Sequence, residues 1–167
     1  MSRLAFALAM LAATIAAAPS GLAQLDRFVG TWQSTGTFVA SAYSKAGEAT
    51  ATTTCGWSTD RLFLICQQSV TLNGTPIHDV AIYTYDDATK TYHYYNVNVT
   101  RGDGAQIAVD GDTITYAGSF MDGSKRVLTR TLNVWVSPQR YTWRSEYSAD
   151  DGKSWTLTAS GVSTLVR

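Results

Sequence analysis

The chain has little charge and no excess of either sign. Of its 167 residues 16% are charged, and thirteen Lys and Arg balance thirteen Asp and Glu. A nucleic-acid binder needs a basic patch or stripe, so this balance argues against that class. With 45% hydrophobic residues and zero net charge, the chain is not disordered either, since disorder needs low hydrophobicity and high net charge. Histidine and cysteine are scarce, at two each. No Cys/His cluster has metal-ligand spacing, so neither a metal site nor a cofactor is expected. There is no Gly-x-Ser-x-Gly elbow, no phosphate loop and no His-Glu-x-x-His, which argues against the common hydrolases and nucleotide enzymes. No residue stands out as catalytic.

Long apolar runs are also missing, with one exception. Leu4 to Ala18 is apolar, follows Arg3, and ends at Pro19-Ser20-Gly21. It is shorter than the roughly 20 residues of a membrane span. A basic start, an apolar middle and small residues Gly21 and Ala23 before Gln24 make residues 1–23 a secretory signal. The working domain is then 24–167, exported to the periplasm or beyond, with no integral membrane segment. Export puts Cys55 and Cys66 in an oxidising compartment. Folding the segment about Asp60-Arg61 sets Cys55 opposite Cys66 and Trp57 opposite Leu64. A cross-strand disulfide is expected; two small buried thiols on adjacent strands are the alternative. Either way the pair is structural, because redox pairs usually have Cys-x-x-Cys spacing.

From Phe28 onward β-branched and aromatic residues dominate, broken every 8 to 14 positions by Gly, Asp, Asn or Pro. Ten strands are expected, at 31–42, 48–57, 62–72, 78–85, 91–100, 105–109, 113–120, 125–136, 140–148 and 154–166. The only helical candidate after the leader is a turn around 25–29. Consecutive strands with short turns make an all-β antiparallel meander, which can close into one barrel and remove its edges. Alternation gives two faces per strand. Val80, Ile82 and Thr84 share one face, as do His93, Tyr95, Val97 and Val99. The Val/Ile face is expected inside.

Phe28-Val29-Gly30-Thr31-Trp32 resembles the Gly-x-Trp signature of lipocalin-like (calycin-type) barrels. The ordered set GTWQSTGTF, the Cys-x-Trp strand, Tyr85-Asp86 before Thr89-Lys90-Thr91-Tyr92, and the ending WRSEYSADDGKSWTLTASGVSTLVR is similar to a bacterial family of exported lipocalin-like domains of unknown function. The resemblance implies a barrel closed at one end by Trp32. Related nitrobindin-like ten-stranded barrels hold haem through a His near the C-terminus. No His follows His93 here, so haem by that route is not expected.

The leading functional expectation is a non-enzymatic barrel binding a small apolar or amphipathic ligand. His93, Tyr95, Arg130, Arg144 and Trp57 are the candidate binding residues. An inward Arg130 or Arg144 could clamp a carboxylate; the alternative is a cross-strand ion pair on the outside, Arg144 with the neighbours of Glu146. A second expectation is a barrel enzyme with His93 as base, which requires His93 to open onto a cavity. A third is an interaction module with a filled barrel and an exposed aromatic patch, drawn from the Tyr-rich hairpin of Tyr83, Tyr85, Tyr92, Tyr94 and Tyr95. Ser148-Ala149-Asp150-Asp151-Gly152-Lys153-Ser154-Trp155 looks like an Asp-box hairpin. One copy makes it a hairpin staple and not a sign of glycosidase activity.

Overall fold

The computed structural model describes residues 21–98 and 102–166. Most of the expected leader, and with it Val99, Thr100 and Arg101, lies outside the described residues. A 3-10 helix, Gly21–Phe28, leads into ten strands. These are β1 Gly30–Phe38, β2 Gly47–Trp57, β3 Leu64–Leu72, β4 Thr75–Asp86 and β5 Thr91–Asn98. They continue as β6 Gly102–Asp110, β7 Thr113–Asp122, β8 Lys125–Ser137, β9 Arg140–Ser148 and β10 Thr156–Val166. Each strand pairs antiparallel with the next, and β10 returns to β1, so the sheet closes as a barrel.

The strand count and order match the turn chemistry. The limits differ where the turns are tighter or looser than composition suggests. β4 begins at Thr75 and not 78, because Asn73 and Gly74 both take positive φ (48° and 80°). Two such residues make a hairpin turn whose twist lets pairing run right up to it. β1 stops at Phe38 and not 42, because Ser41 and Ser44 bond each other and their own backbone to make a separate loop.

The ends of the barrel differ. At one end the 3-10 helix acts as a plug, with Leu25 (0% exposed) and Phe28 (4%) pointing inward. Phe28 stacks on Tyr83 and meets Trp135 edge-on. Trp32 is buried beneath the plug. Its indole N–H donates to the Phe28 carbonyl at 2.8 Å, and its ring lies against Tyr141. Leu64, Ile107 and Ile114 complete an apolar cluster there. Cys55 and Cys66 join it as a disulfide linking paired positions on β2 and β3. The other end carries the long β1–β2 and β9–β10 connections.

One expectation is reversed. On β4 the buried residues are Ala81 and Tyr83, while Val80 is 40% exposed. On β5 Tyr95 and Val97 are each 51% exposed. The Val/Ile face is therefore the outer face, and the tyrosines turn inward. A phenol ring fills more interior volume than Val and carries a hydroxyl that can pair. Tyr83, Tyr94 and Tyr116 do this as a packed group, with ring centroids 5.1 to 6.3 Å apart.

The β9–β10 hairpin is stapled as its sequence suggests. The Asp150 carboxylate accepts from the Ser154 amide at 2.9 Å, the Ser154 hydroxyl at 2.6 Å and the Ser148 hydroxyl at 2.7 Å. These donors hold its carboxyl well below the usual carboxylate range. A group whose folded pKa is depressed stabilises the fold above its unfolded pKa, and that stability fades as pH falls towards the folded value. Asp150→Ala should therefore melt below the wild type at pH 7, and the gap should narrow below about pH 4. Melting curves from pH 7 to pH 2 check this; a gap constant across that range would contradict it.

Candidate functional site

The barrel interior beyond the plug is hollow. A cavity of about 820 Å³ runs from Phe28 and Trp32 at the closed end to Phe38, Tyr43 and Phe120 at the open end. Its size lies in the range of small-molecule sites, roughly 300–1,000 Å³. The hollow follows from residue choice. β1 and β2 present Ser34, Ala49, Ala51 and Thr53 inward, and such short side chains leave the centre open.

Trp143 of β9 stays out of that centre because two glycines receive it. Gly36 and Gly161 are directly paired on β1 and β10, and Gly161 is paired with Trp143. A Cβ on either glycine would meet the Trp143 ring. The indole therefore lies flat against the wall.

The cavity wall is rich in hydroxyls. Tyr83 and Tyr116 place their phenol oxygens 3.3 Å apart. Ser34 and Ser163 are 2.6 Å apart, beside the Tyr141 phenol. Gln68 donates to Thr53 at 2.8 Å, and Thr131 pairs with Ser145 at 2.8 Å. Burial pushes the Tyr83, Tyr116 and Tyr141 phenols above their usual pKa, so all three stay neutral at any physiological pH.

At the open end the loop after β1 leans over the mouth. Its Tyr43 meets Phe120 and Tyr147 edge-on, and its hydroxyl donates to Asp122 at 2.8 Å.

The candidate residues fall into three places. Trp32 is where its motif implies, at the closed end. His93 and Tyr95 sit on the outer face of β5, because β5 presents Tyr92 and Tyr94 inward. The condition for a His93-based enzyme, a His opening onto the cavity, is not met. Trp57 lies at the closed end outside the cavity wall. Its indole N–H donates to Asp26 at 2.7 Å, and Arg61 stacks over its ring at 5.0 Å.

Arg130 and Arg144 are likewise not inward clamps. Thr129 and Thr131 line the cavity, so Arg130 between them points out although it borders the wall. Its guanidinium bonds Glu146 at 2.6 Å and lies 4.0 Å from the Trp155 ring centroid. Arg144 reaches the same carboxylate at 3.6 Å. The register sets Arg130 opposite Glu146 across β8 and β9, so the three side chains form one ion-paired group, with Glu146 between two arginines.

The cavity-shaping residues that the strand pattern missed are the inward tyrosines, Tyr83, Tyr94, Tyr116 and Tyr141, and the glycine pair behind Trp143. The available signal was the crowding of Tyr on neighbouring strands. No helix among the described residues is long and apolar enough to cross a membrane. No metal-binding cluster occurs among them.

Comparison with known proteins agrees with the fold. Residues 21–164 match the model of a family described as a protein of unknown function, DUF1579. The chain belongs to that family. No curated protein matches this DUF1579 chain. Among solved structures it is similar to the crystal structure of Rv2717c from M. tuberculosis, with a TM-score of 0.61 at 14% identity. That match covers 90% of this chain and 99% of the other, and at such identity it shows the shared fold. The structure of EF1p2_mFAP2b bound to DFHBI matches with a TM-score of 0.43 at 15% identity, over 89% and 100% of the two chains. Nothing is built on that weaker likeness.

Proposed function

We propose that this DUF1579 barrel is an exported, lipocalin-like binding protein for a small apolar or amphipathic molecule held inside the barrel. The observation that carries the reading is the cavity, plugged at one end and bordered by aromatic rings at both. A core filled for stability alone would not leave such a volume, since interiors are close-packed with few voids larger than a water. Trp32, Trp143, Phe38 and Phe120 supply apolar surface, and burial of a ligand against them is the driving force. Export fits the buried Cys55–Cys66 disulfide, because such bonds persist in oxidising compartments.

The test is native mass spectrometry of the protein purified from its exporting host, beside the variant Ala51→Trp. Ala51 faces the cavity from the middle of β2, opposite Ser34 and Val70. An indole there occupies the ligand's space. The wild type should carry an extra mass that denaturing extraction removes, and the variant should lack it. A folded wild type that retains nothing, from the host or from an added panel of apolar compounds, would contradict the reading.

A further inference from the structure

The wall chemistry specifies what kind of molecule the cavity takes, an inference that rests on the binding reading above. Two hydroxyl groupings face each other across the barrel, since β4 to β7 lie opposite β1 and β10 in the closed strand order. On one side Ser34 and Ser163 bond each other at 2.6 Å, with the Tyr141 phenol beside them to take the proton that pair leaves over. On the other side Tyr83 and Tyr116 bond each other, and neither phenol has another hydrogen-bond partner among the described residues. When two hydroxyls pair, one donates and the other accepts, and the acceptor keeps its own proton. The Tyr83–Tyr116 pair therefore always holds one O–H that is not used within the pair. That donor borders the cavity, where an acceptor on a bound molecule can take it.

The charges on the inner face point the same way. Arg130 is the one charged residue bordering the cavity among the described residues, and its guanidinium is committed to Glu146 and Trp155. An anionic ligand would shed its water and meet no available cation among these residues. A neutral carbonyl would lose far less on entry and would accept the unused phenol proton.

We propose that the cavity selects an uncharged, mostly apolar ligand bearing one hydrogen-bond acceptor such as a ketone, and that the Tyr83–Tyr116 hydroxyl pair seats that acceptor. Carboxylates and sulfonates are rejected, so fatty-acid head groups are not the natural cargo. Tyr83 and Tyr116 are the specificity residues.

Three fluorescent probes test this on the full chain. N-phenyl-1-naphthylamine is neutral; 1-anilinonaphthalene-8-sulfonate is the same frame with a negative charge. The third, 6-propionyl-2-dimethylaminonaphthalene, carries a ketone whose emission shifts to the red when it accepts a hydrogen bond. The two neutral probes should bind the wild type and be lost in Ala51→Trp, and the sulfonate should bind at least about tenfold more weakly. Tyr116→Phe, with Tyr83→Phe as the second variant, should weaken the ketone probe about fivefold and shift its emission to the blue. Neither variant should alter N-phenyl-1-naphthylamine binding. Equal binding of the sulfonate, or ketone emission unchanged in both phenylalanine variants, would overturn the selectivity while leaving cavity binding intact. Failure of both neutral probes to bind, or binding that survives Ala51→Trp, would overturn the cavity reading itself.

Discussion

Gly161→Val should lower stability by about 3 kcal/mol, because the new side chain meets backbone as well as an indole. A Cβ at Gly161 runs into the Thr35 carbonyl and comes within 2.5 Å of Trp143 Cζ2. At the paired glycine, a Cβ on Gly36 runs into the same ring and comes within 2.8 Å of the Ser160 carbonyl. The Trp143 ring could in principle turn away, but strand backbone bonded on both sides cannot. The indole would also be pushed off its wall into the cavity, so the variant should lose ligand capacity along with stability. In a domain of this size about 3 kcal/mol is roughly 10 °C in melting temperature. Thermal unfolding of Gly161→Ala, Gly161→Val and Gly36→Ala checks the account, with the valine worst. Melting points within two or so degrees of wild type would mean that the two glycines are not the seat of Trp143.

Reducing the Cys55–Cys66 bond should cost nearly as much. The two cysteines are 11 positions apart, in direct register across β2 and β3. In the chain-entropy account, closing a loop of that length in the unfolded state is worth about 3 kcal/mol. Both sulfurs lie in the apolar cluster against the plug, so alanine at both positions should lose this constraint and a little packing. The melting temperature of the wild type should fall by roughly 10 °C when reductant is added. The double variant Cys55→Ala/Cys66→Ala should melt low with or without reductant. A wild type indifferent to reductant would show that the hairpin needs no tether.

The fold was legible in the sequence because turns are local. Asn73-Gly74, Gly111, Asp122-Gly123 and Asp151-Gly152 are where the chain needs φ values above zero, and each of these glycines takes one. The disulfide was legible for the same reason, since a single turn at 58–63 sets its register. Which face points inward is not a local property. On β4 and β5 the rule that branched apolar residues go inside favours Val80, Ile82 and Val97. The closed barrel instead needs bulk at the plug and polar atoms that can pair across strands, which Tyr83, Tyr94 and Tyr116 supply. His93 and Tyr95 moved to the outer wall with that reversal. Arg130 was placed opposite Glu146 by the β8–β9 register, which the irregularity between Trp135 and Ser137 shifts away from simple counting out from the turn. The cavity is the least legible feature. It depends on Gly36 and Gly161 meeting on β1 and β10, the first and last strands of the chain.

The most direct measurement is a crystal of the full domain soaked with 1-bromonaphthalene, a neutral aromatic whose bromine scatters anomalously. The account predicts one bromine peak inside the barrel, between Trp143 and the Tyr83–Tyr116 pair, and none there in Ala51→Trp. An interior filled by side chains, or bromine found only on the outer sheet, would contradict it.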